Sequence, residues 1–474
     1  MPVNSSASHG IEIGRRALQA QQAALNTTGH NIANANTVGY SRRHVNLENA
    51  VSNVNGGIGT GSDVSSIQRQ RSNFDDAQMR VQQQVLGRWQ ALERALGSIE
   101  GVFNEPAGAG SSEAGTIFNE PSGLGLSGSL SRFWNAWQDL ANVPESGAAR
   151  AAVRQEADFL VTTLHQYHSK LNDTRIELDK EIVAQVDEVN EILDELAAVN
   201  GELPAATFSG SDAGDLKDRR DLLLDRLSSK VDLAMVEREN GQVSVLLSGH
   251  NLLEGDHVSH LRVRQVVQDG HAVSRVVFED DGSNTPIDEG TLRGLVDVRD
   301  GVVPDYINRV DAIAAAMVEE INALHRTGFG QDGSTGVNFF DPDKVHASNI
   351  AVSDVILADL NNISASSDGN SGDNGMALAI SAIRNENILK DGTSTMEGFY
   401  YEMLGDIGAR SREAQTMSEN NRLFAQQIDN RRQSIQGVSL NDEASSLVLY
   451  QRAYQAAARA VSIIDDLMEV TINL

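Results

Sequence analysis

The sequence predicts a mainly α protein with a small antiparallel β insertion, in which the N- and C-terminal helices pair as a coiled coil. Three observations predict it. Apolar residues recur at heptad spacing at both ends of the chain, helical periodicity marks long segments in both halves, and a block rich in β-branched residues interrupts them between Val231 and Phe278.

Near the N-terminus Ile11, Leu18, Leu25 and Ile32 recur every seven residues, among Ala17, Ala20, Ala23, Ala24 and the small or polar Gly14, Gln21 and Thr28. So thin a seam buries little apolar area while helix nucleation is costly, so this helix needs a partner. The stretch Asn31-Ile32-Ala33-Asn34-Ala35-Asn36-Thr37-Val38-Gly39-Tyr40-Ser41-Arg42 is poor helix material. Asn and Thr compete with the backbone and Gly is entropically costly, so the first helix ends there in a turn. The glycine-rich run Gly56–Gly61 matches neither a P-loop nor a dinucleotide fingerprint and reads as a mobile loop.

Val81, Val85, Leu92, Leu96 and Ile99 mark the next helix, and Leu171, Leu178, Ile182, Val186, Val189, Leu193 and Leu196 mark a longer one. Between them Pro106–Gly128 reads as an exposed loop, with the echo Phe103-Asn104-Glu105-Pro106 and Phe118-Asn119-Glu120-Pro121. Asp215–Leu227 carries charged and apolar residues at helical spacing, with Asp215–Arg219 and Lys217–Asp221 as i, i+4 pairs, and predicts an amphipathic surface helix leading into the β block. Within that block Val231–Val236, Gln242–Leu247, Leu261–Val267 and Ala272–Phe278 are the strands, and Asn240-Gly241 and Asp269-Gly270 are two-residue hairpin signals.

Ile307, Val310, Ala314, Met317, Ile321 and Leu324 predict a third inner helix, and Met403, Ile407, Ala414, Met417, Phe424, Ile428 and Ile435 a fourth, with a loop at Ser364–Gly375 between them. Leu447, Tyr450, Tyr454, Ala457, Val461, Ile464, Met468 and Thr471 then alternate steps of three and four, a sustained heptad seam roughly 37 Å long at ~1.5 Å per residue. No proline lies between Pro2 and Pro106 or after Pro342, as long helices at both ends require. The expected organisation is a terminal coiled-coil domain from 1–70 with 436–474, a helical bundle domain from 71–230 with 300–435, a β module at 231–299 and a loop-rich outer insertion at 341–400.

The formal charge is −28, and residues 101–434 hold 54 acidic against 27 basic side chains, almost the whole excess. Lysine is confined to the middle, from Lys170 to Lys390, so both ends carry their few positive charges as Arg. Such acidity argues against nucleic acid and anionic lipid as partners. No run reaches the roughly 18 apolar residues of a membrane span, and the N-terminus lacks a hydrophobic signal core. With no cysteine there is no disulfide, thiol nucleophile or thiolate metal site.

His165 with His168, and His250, His257 and His260, lack acidic or sulfur partners at diagnostic spacing and predict no metal site. Asp332-Gly333-Ser334 and Asp368–Asp373 resemble calcium loops but lack the closing Glu. No catalytic or cofactor-binding constellation emerges, and the expectation is a protein that is not an enzyme and needs no cofactor.

Ala24-Leu25-Asn26-Thr27-Thr28 followed by Asn31–Arg42 closely resembles the N-terminal signature of bacterial flagellar axial proteins, with Val38 where the family commonly has proline. The Ser41-Arg42 pair is similar to the hook–filament junction group of that family. Phe133–Val153, Asp215–Leu227, Gly290–Asp300, Gly328–Phe340, Gly372–Leu378 and Asn441–Leu474, with Tyr450-Gln451-Arg452-Ala453-Tyr454-Gln455-Ala456-Ala457, carry the likeness along the chain.

The resemblance implies that both ends line an axial tube, with a helical domain and β-rich insertions further out. It also implies secretion in an unfolded state through the flagellar type III export apparatus with an export chaperone. The implied partners are copies of itself in a helical array, the hook protein and the next junction protein. Residues expected at the assembly interface are Ile11, Leu18, Leu25, Asn31, Ile32, Asn34, Asn36, Gly39, Tyr40, Arg42, Leu447, Tyr450, Tyr454, Ala457, Val461, Ile464 and Met468. A hook or rod subunit is the nearest alternative, disfavoured by Ser41-Arg42 and by the long helices between residues 75 and 230. A generic coiled-coil adaptor would leave the matched ends unexplained, and a grafted enzyme or adhesin would need a larger insert.

Overall fold

The chain, a computed structural model, is described over residues 3–50, 59–103, 125–208, 213–268 and 271–472. Most of the glycine-rich run, residues 106–124 with the second copy of the Phe-Asn-Glu-Pro echo, and the Asp269-Gly270 turn lie outside the described residues, as does the side chain of Thr471. The order is α1 (Val3–Ala33), β1 (Arg43–Asn49), β2 (Ser62–Arg69), α2 (Asn73–Phe103), α3 (Leu126–Asn142), α4 (Gly147–Phe208) and α5 (Gly214–Lys230). Six strands follow: β3 (Ala234–Glu237), β4 (Val243–Leu247), β5 (His250–Glu254), β6 (His257–Val258), β7 (Leu261–Gln268) and β8 (His271–Phe278). The remaining helices are α6 (Gly290–Asp297), α7 (Val303–His325), α8 (Asp354–Ala358), α9 (Gly375–Ala382), α10 (Met396–Gln436) and α11 (Leu440–Ile472).

The fold is mainly helical, as its periodicities predict, and the first and last helices pack on each other. The body is built on α4, 62 residues long, whose seam Leu171, Leu178, Ile182, Val186, Val189, Leu193 and Leu196 is buried throughout. Its far end runs through Pro204, which cannot donate to the carbonyl of Asn200 one turn back. Gln242 Nε2 donates to that carbonyl instead at 3.0 Å, and the Asn200 side chain bonds Val243 N and O on β4. The helix therefore continues past proline because the β module supplies the missing donor.

One part of the core is aromatic. Phe133 and Trp137 of α3 meet Phe339, Phe133 also meets Phe340, and Trp134 packs edge-on against Phe133; the Trp137 and Phe339 ring centres are 5.3 Å apart. Helix α3 carries none of the periodicities noted above, and its first residues, Leu126–Gly128, fall in the segment expected to be loop. α10 packs antiparallel on α2, joined by Gln82 to Asn421 and Arg431 to Asp75. Only its first part reaches the main core. Beyond Ala414 it shares with α2 a small cluster of Met79, Ala425 and Ile428, so Phe424 and Ile435, expected on the seam, are exposed.

The β block forms a four-stranded antiparallel sheet, β3-β4-β5-β6, and the β7-β8 hairpin. β5 and β6 are additions to the expected strands, as is the β1-β2 hairpin near the N-terminus. Residues 341–400 hold short helices and turns, yet Ile350, Ile356, Ile363, Ala377 and Ile380 are buried in the same core as α4 and α7. Among the described residues no helix is long and apolar enough to cross a membrane.

Candidate assembly site

Small residues decide how closely the two ends approach. A Cβ built on Gly10 would stand 3.1 Å from Ile464 and one on Gly14 2.3 Å from Cγ2 of Val461, which also shows that α1 and α11 run antiparallel. Among the described side chains of α1, Gly14, Ala20, Ala24, Thr27, Thr28 and Asn31 are buried. The heptad line Ile11, Leu18, Leu25 and Ile32 flanks them and is only half-buried. On α11 Leu447, Tyr450, Ala457, Val461, Ile464 and Met468 are half-buried, while Tyr454 is exposed.

A second apolar line on α11 escaped the periodicity reading. Leu449, Ala456, Ile463 and Val470 recur every seven residues with Leu467 beside them, and Leu449, Ile463, Leu467 and Val470 are 64%, 59%, 60% and 59% exposed. Counting from Leu449 instead of Leu447 would have found it.

The turn after α1 is held by one buried amide. Asn31 Nδ2 donates to the carbonyl of Arg43 at 3.0 Å and to Glu443 at 3.1 Å, while its Oδ1 accepts from Tyr40 Oη at 2.8 Å and from Arg43 N at 3.0 Å. Arg42 Nε donates to the other oxygen of Glu443 at 2.7 Å, and Arg42 N to the carbonyl of Gln436. Asn34 bonds the His30 carbonyl and accepts from Thr37, whereas Asn36 is exposed. Gly39 adopts φ +84°, and a Cβ there would lie 3.3 Å from Leu222 of α5, so both conformation and space favour glycine. Asn31, Tyr40 and Arg42 thus meet in one network with Glu443, a residue not anticipated from sequence.

Directly behind this turn lies α5, and here the expected surface helix is corrected. Asp218, Asp221 and Asp225 are buried, and the anticipated pairs Asp215–Arg219 and Lys217–Asp221 do not form, Arg219 pairing with Glu195 instead. Asp215, Asp218, Asp221 and Asp225 share one helix face because steps of three and four return to the same side. Ser41 Oγ donates to Asp218 at 2.7 Å, and Arg43 pairs with Asp215. Arg69 reaches Asp218 at 2.7 Å and Asp221 at 3.0 Å, and Arg71 reaches Asp221 at 2.8 Å. Arg80 and Arg432 converge on Asp225, each at 2.9 Å. Burial alone would raise the Asp221 carboxyl, but Arg71, Arg220, Arg69 and Arg80 around it hold it down at about 2.

The histidines have ordinary partners. His165 bonds the Ile350 carbonyl, His250 stacks on Phe278, and His260 faces Asp194. Among the described residues no group of three or more His, Asp or Glu is placed to hold a metal ion.

Comparisons with known proteins match each part of this architecture. Residues 111–340 match the flagellar hook-associated protein FlgK helical domain, residues 11–40 the flagella basal body rod protein family, and residues 432–474 the flagellar basal body rod FlgEFG protein C-terminal family. A helical body between two rod-protein ends that pack together defines a flagellar axial protein, structural rather than enzymatic. The chain is 31% identical to flagellar hook-associated protein 1 of Bacillus subtilis, over 98% of this chain and 97% of that one. It is 23% identical to the protein of that name from Salmonella typhimurium and 22% to that from Escherichia coli, over 96% of this chain and 98% of each of theirs. The chain belongs to the flagellar hook-associated protein 1 family. The solved structure of the flagellar hook junction protein FlgK from Burkholderia pseudomallei shares the fold, with a TM-score of 0.66 at 13% identity over 76% of this chain and all of that one.

Proposed function

We propose that the chain is the structural subunit of the hook–filament junction of a bacterial flagellum, polymerised with copies of itself in a helical tubular array. The observation that carries this is the exposed line Leu449, Ala456, Ile463 and Val470 on a helix whose other seam already faces α1. Apolar area of that periodicity stays in water until neighbouring copies cover it, and head-to-tail contacts that do not close extend into an array. Likeness along nearly the whole chain to relatives named hook-associated protein 1 favours the junction over a hook or rod subunit.

On this reading residues 1–70 with 436–474 are the axial domain, and Ile11, Leu18, Leu25, Ile32, Leu447, Tyr450, Tyr454, Ala457, Val461, Ile464 and Met468 take part in assembly. Asn31, Asn34, Asn36, Gly39, Tyr40 and Arg42 shape the turn that leads from it. Residues 71–230 with 300–435 form the helical domain, whose core takes in the short helices and turns of 341–400 expected as an outer insertion, and 231–299 form the β module. The hook protein, the next junction protein, the type III export apparatus and an export chaperone follow as partners from family membership. A strain lacking the chain tests the reading: intact hooks with monomeric flagellin spilled into the medium are expected, and missing hooks would favour a hook or rod subunit.

A further inference from the structure

We propose that Asp218, Asp221 and Asp225 of α5 are positioning residues that set the direction in which the paired chain ends leave the body. Their partners come from both ends. Arg43, Arg69, Arg71 and Arg80 flank the β1-β2 hairpin and open α2, while Arg432 lies in the last turns of α10 just ahead of α11. The roots of the N- and C-terminal arms are therefore registered against successive turns of one helix. Asp76 of α2 ties the two sides again, bonding Arg71 at 2.9 Å and Arg432 at 3.1 Å.

Buried ion pairs are poor sources of net stability, because desolvating the charges offsets most of their attraction, but they specify geometry. A guanidinium fork fixes angle as well as distance, which an ammonium does not. The cations that meet this face from the two ends, Arg43, Arg69, Arg71, Arg80 and Arg432, are all arginines, and among the described residues no lysine reaches it. The inference rests on the ends being the assembling element, since only then does their direction matter.

The chain has no cysteine, so spin labels attach only where cysteines are introduced. With labels at His44→Cys on β1 and Glu191→Cys on α4, both exposed, the free full-length monomer is expected to give one narrow distance. Two variants are compared, Asp221→Asn and the charge-preserving pair Arg69→Lys with Arg71→Lys. The near-UV signal of the three tryptophans, of which Trp134 and Trp137 are buried in the body and Trp89 half-buried on α2, reports whether the body stays folded. Loss of the single narrow distance with an unchanged tryptophan signal, in either variant, supports the proposal. Parent-like distances in both, or loss of the tryptophan signal wherever the distance is lost, overturn it. The readout is taken on the monomer, so its failure is distinct from failure of the junction role, which the phenotype of the null strain decides.

Discussion

Asn31 and Glu443 are 412 residues apart in sequence and hydrogen-bonded at 3.1 Å, both buried. The contact ties the end of the first helix to the start of the last, and Arg42 completes it from the turn between. Asn31→Ala removes partners from Glu443, Tyr40 and Arg43 together. A loss of about 1–3 kcal/mol is expected, the usual cost of leaving buried polar groups unsatisfied. It should be read as faster amide exchange in α1 and α11, with α4 unaffected.

Gly14→Ala places a methyl group against Val461 and should push the terminal helices apart, at about 1–3 kcal/mol for an overpacked contact. Adding Val461→Ala vacates the same space. Motility lost in the single variant and regained in the double is the expected outcome, and failure of the second change to help would count against this register.

Asp at Leu447, Val461 or Ile464 should block incorporation, because each is half-buried on the seam, whereas substitutions of His165, His250 or His260 should leave it intact. Deleting 441–474 should abolish motility while the tryptophan signal of the body persists. Among the described side chains of α11 only Glu443 is fully buried, so protease should cut the ends of the free monomer before it cuts within 165–200 of α4.

Stability should fall in two steps on acidification. His325 is buried, with Nδ1 donating to the Val337 carbonyl and Nε2 accepting from Ser364 N. Burial pushes its pKa down to about 4 against the Val337 bond, with Arg150 nearby adding to the depression. The unfolded chain therefore binds this proton first, and stability is lost as pH falls from about 6.5 toward 4, by roughly 3 kcal/mol at most. Asp221, held at about 2, contributes stability that is full above the ordinary carboxylate range and is lost as pH drops through about 2. Thermal melts between pH 7.5 and 4.5 check the first step, and His325→Asn should flatten it.

Where packing repeats along one element, sequence reading succeeded. The seam of α4, the pairing of the two end helices and the antiparallel β block each show as a spacing of like residues, because one face of each meets one environment. The aromatic helix α3 did not show, since Phe133 and Trp137 face partners near residue 340 and repeat over too few turns to make a period. Helix α10 misled beyond Ala414, because an apolar repeat does not reveal whether a second layer covers it. The turn residues Asn31, Tyr40 and Arg42 were legible as a signature but not as a network, since Glu443 has no local mark that sets it apart from other acidic residues.

By itself the sequence determined that both ends are helices needing a partner, that the body between them is long-helical with a β insertion, and that no cysteine chemistry exists. Those properties follow from residue type and local period. Only the tertiary structure decided which faces meet: that Gly14 admits Val461, that Asn200 is served by Gln242 past a proline, and that Asp218, Asp221 and Asp225 of α5 are buried beneath arginines from both ends. An aspartate at a helix surface and one in a buried ladder look alike along the chain. Their difference is desolvation and the charge opposite, and apart from the adjacent Arg220 the opposing charges paired with Asp221 and Asp225 come from more than 140 positions away.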